Sequence, residues 1–307
     1  MTRREILAAG AACATTLWAR SHWDRARIAA ITDEIGATPD EAVALAHDDG
    51  LQFVEIRNQP GTNKEYAALR EADSKADGAR LANEGIKVSC VLTGLLRFAW
   101  PGSQPASAAA EEPDRREKRL AAEQARWDGR LDDLRKALRC ARIVGADKVR
   151  IFAGTRAADP AAMLQRTADT IGEMALEAEK EKICLLLEND AATNVATSAE
   201  LAGVLRLVPS RWVAVNWNPH NAHGLEKPFP DGYALLPKKR ILNVRVHARS
   251  LAPGGPETEN WKAILLALDR DGYNGKIALE TGVPGGWRTP AALSPMEQLV
   301  RIVREVS

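Results

Sequence analysis

The chain has 307 residues, 45% of them hydrophobic and 27% charged, a mixture that can bury a large core and excludes disordered, fibrous and collagen-like classes. Lysine plus arginine number 42 against 41 aspartates plus glutamates, so no basic excess exists to collect phosphates along a nucleic acid, and a nucleic-acid partner is not expected. Cys13, Cys90, Cys140 and Cys184 are widely spaced without a CxxC pair, which argues against a structural zinc or a disulfide framework.

The first segment, residues 1–22, carries Arg3-Arg4 followed by the small-residue apolar stretch AAGAACATTLWA, and after Glu5 no acidic residue occurs before Asp24. This resembles a twin-arginine export signal and predicts a periplasmic protein; a cytoplasmic chain with a chance arginine pair is the alternative. The apolar run is too short to span a membrane. Removing residues 1–20 would take away three arginines and one glutamate and leave a net charge near −1, so no charged partner is implied.

From residue 28 short apolar runs alternate with longer amphipathic stretches. The runs are IAAIT (28–32), LQFVEI (51–56), IKVSCVL (86–92), KVRIFA (148–153), KICLLLE (182–188), WVAVNW (212–217), ILNVRVH (241–247) and KIALE (276–280). Continuous Val, Ile and Leu suit parallel strands buried on both faces. Between them Thr38-Pro39-Asp40-Glu41 reads as a capped helix start, and Gly50, Gly85 and Gly145 each close a helical stretch. Eight strand–helix cycles over residues 28–305 predict an α/β fold, a (β/α)8 TIM barrel of one domain. A doubly wound sheet would also alternate, but no Gly-rich phosphate fingerprint follows the first strand. The third connection is long: a Pro, Ser and Ala loop from Trp100 to Pro113 precedes a charged helix expected over 115–144. It reads as a lid over the site or as a solvated insertion.

The last four runs end on or next to a residue able to bind metal: Glu188, Asn218, His247 and Glu280. Neighbouring barrel strands would aim all four at one mouth, where Glu188, His247 and Glu280 need a compensating cation. Two carboxylates, an imidazole and an amide oxygen would suit one divalent metal ion, Mn²⁺, Co²⁺, Zn²⁺ or Mg²⁺.

At these residues the chain resembles the sugar isomerase and epimerase superfamily with the xylose isomerase-like barrel. The stretches carrying the resemblance are ITDEIG (31–36), LQFVEIRN (51–58), VRIFAG (149–154), LLENDAATN (186–194), WNPHNA (217–222) and PFPDGY (228–233). The resemblance implies a divalent ion held by Glu, Asp, His and Glu from strands five to eight, here Glu188, Asn218, His247 and Glu280. It also implies that Glu188 and Glu280 are catalytic, exchanging the proton beside a substrate carbonyl from opposite faces. A 1,2-hydride shift is the superfamily's other route. Three positions depart from the pattern: Asn218 replaces an aspartate, Arg249-Ser250 stands for Lys-Asp, and Gly282 stands where histidine is common. Asn218 brings no charge, so a metal would be bound more weakly.

Candidate substrate-binding residues are Arg150, His220, Asn221 and Arg249. Arg150 alternates with Val149 and Ile151 and so faces the barrel mouth, unless it makes an internal ion pair with Glu55 or with the acidic neighbours of Arg57. As part of an extended strand His220 would lie on the face of Asn218, farther out. The expected activity is isomerisation or epimerisation of a small carbohydrate, a sugar, keto-sugar or polyol derivative. Three alternatives stand beside it: a catalytically weakened relative that binds a sugar or sugar acid, a lyase or dehydratase using the same metal-enolate chemistry, and an endonuclease, which the charge balance disfavours. No membrane span is expected, and a homo-oligomer is compatible with the composition.

Overall fold

The computed structural model describes residues 23–106, 112–282 and 294–307; the export-signal reading of residues 1–22 and the thiol of Cys13 lie outside them. The eight apolar runs form β1 (Ile28–Ile31), β2 (Phe53–Ile56), β3 (Lys87–Leu92), β4 (Lys148–Ile151), β5 (Cys184–Glu188), β6 (Val213–Trp217), β7 (Ile241–His247) and β8 (Lys276–Glu280). Each pairs in parallel with the next, and β8 pairs with β1 to close the barrel. A closed sheet leaves no edge unpaired. The expected (β/α)8 architecture is present.

Strand residues alternate between the helix layer and the lumen. Val213, Val215 and Trp217 of β6 join the large apolar core packed under the helices, and Ala214 joins a second, smaller cluster with Ile31, Cys90, Leu92, Cys184 and Leu186. Burying each such Leu or Ile side chain contributes about 1.5–3 kcal/mol. Along β5 the lumen parity runs Cys184, Leu186, Glu188, so the apolar plug gives way to charge at the carboxy end of the strand.

Helix punctuation follows local chemistry. Thr38 accepts from the Glu41 N–H and Pro39 occupies the first turn of the helix Pro39–Asp48. Gly145 ends the helix Arg130–Val144 with φ of 74°, a left-handed conformation that glycine adopts without strain. The single charged helix expected over 115–144 is two, Pro113–Asp128 and Arg130–Val144, divided at Gly129. No residue of the first is fully buried, and it meets the core through the partly buried Trp127, whose ring lies 5.1 Å from that of Trp100. Part of the lid-like loop, residues 107–111, falls outside the described residues.

His220 is also placed differently from expectation. The chain leaves the extended conformation at Pro219 and enters a short 3₁₀ turn, His220–Ala222, so strand parity does not orient it.

Candidate functional site

The carboxy ends of β5 to β8 assemble one polar centre, and strand register explains who meets whom. Glu188 lies opposite Asn216 in adjacent strands, and His247 lies opposite Glu280. Glu188 is 2% exposed and fully engaged: Oε2 accepts from Asn216 Nδ2 at 2.7 Å and from Arg150 Nη1 at 3.3 Å, and Oε1 accepts from Asn218 Nδ2 at 3.1 Å. The same Asn218 nitrogen reaches Glu280 Oε2 at 3.4 Å. One amide therefore bridges both candidate catalytic carboxylates. Its orientation is supported by Asn218 Oδ1 accepting from the Asn221 N–H at 3.3 Å. The Asn218 backbone is locked in turn by Asn189, which accepts from its N–H at 2.9 Å and donates to its carbonyl at 2.8 Å.

Glu280 is held more loosely. Its nearest cations are Arg245 Nε at 3.8 Å and Arg57 Nη1 at 3.9 Å, and its side chain is 17% exposed. Arg245 is fully buried and pairs through Nη1 with Glu55, while its Nε and Nη2 have no hydrogen-bond partner among the described residues. Asn243 Nδ2 donates to Glu55 Oε1 at 2.7 Å and to Asn216 Oδ1 at 3.0 Å, so hydrogen bonds connect Glu55, Asn243, Asn216, Glu188, Asn218 and Glu280. Beside them Arg57 joins Asp33 at 2.9 Å and Glu34 at 3.0 Å. Glu34 accepts from the Thr281 N–H at 2.6 Å and the Gly282 N–H at 3.2 Å, tying the short helix Thr32–Ile35 that follows β1 to the exit of β8. Gly282 has φ of 73°, which explains why a side chain is disfavoured there.

These surroundings divide the two glutamates. Burial pushes the Glu188 carboxyl above the ordinary range despite Arg150 and Arg245. For Glu280 burial acts in the same direction, but Arg245, Arg150, His247 and Arg57 outweigh it and the carboxyl falls below the ordinary range. Burial, with His220 beside it, brings His247 down to about 4. The His247 and His220 rings stack with centroids 4.0 Å apart. His247 Nδ1 accepts from the Arg249 N–H at 3.2 Å, so a neutral ring carries its proton on Nε2 and acts there as a donor.

The other candidates are distributed unevenly. Arg150 is 6% exposed and bonds Thr93 O as well as Glu188, so it is part of the internal ion-pair system. Asn221 Nδ2 is committed to the Asn189 carbonyl at 3.0 Å. His220 faces Glu257 at 3.9 Å, and Arg249 is exposed at the rim. The residues absent from the sequence-based site include Arg245, Arg57, Asn216, Asn243 and Asn189. For Arg245 a signal existed: it shares strand parity with His247.

The arrangement fits a divalent ion poorly. Asn218 turns a donor toward the carboxylates where a ligand must present oxygen, each Glu188 oxygen is already taken, and His247 Nδ1 is occupied. Among the described residues no three His, Cys, Asp or Glu side chains are placed to hold a metal ion.

Comparison with known proteins places the fold. No curated protein matches the chain. Among solved structures, D-allulose 3-epimerase from Methylomonas sp. is 14% identical with a TM-score of 0.66, over 94% of this chain and 100% of its own. The 3-keto-D-glucoside 4-epimerase of E. coli is 13% identical with a TM-score of 0.60, over 91% and 98%. The IOLI protein with a binding zinc atom is 12% identical with a TM-score of 0.62, over 91% and 96%. Residues 43–304 match the xylose isomerase-like TIM barrel family, and the chain belongs to that family.

Proposed function

We propose that the chain is an isomerase or epimerase that moves a proton beside the carbonyl of a small sugar, keto-sugar or polyol derivative, with Glu280 as the base and Glu188 as its partner. The supporting observation is the Asn218 amide, which brings the two carboxylates to a single donor at 3.1 and 3.4 Å. Glu280, partly exposed, below its ordinary pKa and held loosely by the Asn218 amide at 3.4 Å and by guanidinium groups at 3.8 and 3.9 Å, is ionised and open to a carbon-bound proton. Removing that proton develops negative charge on the substrate oxygen, and the His247 Nε2–H is the neutral donor that can meet it. Burial pushes the Glu188 carboxyl upward while Glu280 is pushed down, so Glu188 is the member of the pair better suited to hold and return a proton. Titratable partners whose surroundings drive them apart are the usual basis for acid and base roles. No step is routed through a divalent ion, because Asn218 presents a donor nitrogen to the carboxylates and both Glu188 oxygens already accept hydrogen bonds.

A second reading is favoured by the burial of Glu188: a carboxylate 2% exposed with both oxygens bonded also suits a relative that holds a sugar or sugar acid without turning it over. Incubating a panel of keto-sugars in D₂O separates the two. The proposed activity gives deuterium next to the carbonyl, with the exchange rate reduced by about 10²–10⁴-fold in Glu280→Gln. Sugar binding without label, or label unaffected by the substitution, goes against the enzymatic roles assigned here.

A further inference from the structure

We propose that Arg245, supported by Arg150, is the resident cation of this barrel mouth and takes the charge-compensating place that the family resemblance gives to a divalent ion. Three glutamates, Glu55, Glu188 and Glu280, converge within the barrel, and two arginines are buried among them: Arg245 at 0% exposure and Arg150 at 6%. Arg245 engages Glu55 and stands 3.8 Å from Glu280, and Arg150 stands 3.3 Å from Glu188. Every one of these carboxylates thus has a guanidinium neighbour from the chain itself, as buried carboxylates require.

The amide at position 218 fits this arrangement. A guanidinium beside a carboxylate pair supplies less charge than a divalent ion, and the remaining acceptor capacity of Glu188 and Glu280 falls to Asn218 Nδ2. An aspartate there would add a third carboxylate at the same point with no donor, and a flipped amide would put its oxygen against two carboxylates while losing the Asn221 N–H. The Arg245 guanidinium and the Asn218 amide therefore complement each other. Arg245 is a positioning residue that acts through Glu280, since none of its atoms is open to solvent. A divalent ion placed between the glutamates would lie beside Arg245 and Arg150 and be repelled by both.

The inference rests on the proposed pairing of Glu188 with Glu280, but its test uses neither substrate nor turnover. Full-length protein is stripped with chelator, dialysed against Mn²⁺ or Zn²⁺ and assayed for bound metal, and its thermal unfolding is followed with and without each ion. The wild-type chain is expected to retain under about a tenth of an ion and to show no ion-dependent rise in Tm. Arg245→Met and Asn218→Asp, which each leave the centre one unit more negative, the first by removing a cation and the second by adding a carboxylate, are each expected to gain an ion-dependent rise in Tm. Uptake of about one ion by the wild-type chain, abolished by Glu280→Gln, overturns the proposal even if neither Arg245→Met nor Asn218→Asp can be purified folded. Such a result leaves the deuterium-exchange chemistry standing, and a failed exchange assay leaves the resident cation standing.

Discussion

Glu188 and Glu280 carry the same carboxyl group in opposite settings. Glu188 takes hydrogen bonds from Asn216, Asn218 and Arg150, whereas Glu280 is approached by Arg245 and Arg57 only at 3.8 and 3.9 Å. Geometry, more than residue type, assigns the roles. The buried partner of Arg245 is the residue whose loss should be felt most in stability. Glu55→Ala removes its principal counter-charge and the acceptor of Asn243, and is expected to lower unfolding free energy by about 3–5 kcal/mol in urea titration. A change within a few tenths of a kcal/mol would show that the pair is not sustained in solution. Glu188, His247 and Glu280 were legible because each is a polar residue closing an apolar run. Arg245 was not assigned because parity shows only that it faces the lumen, and its partner Glu55 lies 190 residues away.

Elements were read with small errors at their ends. β7 and β8 coincide with the runs ILNVRVH and KIALE, while β5 begins two residues after the start of KICLLLE. Strand ends are decided by pairing with neighbours, which hydropathy does not report. The helix break at Gly129 and the turn at Pro219 were missed for a related reason: Gly129 sits in an uninterrupted polar periodicity, and the β6 pattern ends before Pro219. The exit of β8 depends on one glycine. Gly282→Ala forces an alanine to φ near 73° and strains the link to Glu34, so it should cost about 1–2 kcal/mol by chemical denaturation. A neutral or stabilising result would mean that the β8 exit relaxes to an ordinary conformation.

At the scale of the molecule, the barrel closes all eight strands into one sheet and buries Cys90, Cys140 and Cys184 as free thiols. Burial raises each of them, Cys140 to about 11 and Cys184 to about 12, so the reactive thiolate is scarce below those values and grows only as pH rises toward them. Iodoacetamide at about pH 8 is therefore expected to leave the peptides carrying these three cysteines unmodified in native protein and to label them after unfolding. Rapid native labelling of any of the three would show that its part of the barrel opens readily. None of the helices among the described residues is long and apolar enough to cross a membrane.

By itself the sequence determined the eight strand–helix cycles, the closed barrel and the approximate positions of Glu188, His247 and Glu280. These follow from local periodicity and from the rule that barrel strands aim their carboxy ends at one mouth. Only the tertiary structure decided that Asn218 offers its nitrogen to both glutamates, that His247 presents Nε2–H, and that Arg150 and Arg245 neutralise the centre. The reason is physical: a donor, an acceptor and a counter-charge are defined by the atom opposite, and here those atoms come from strands far apart in the chain.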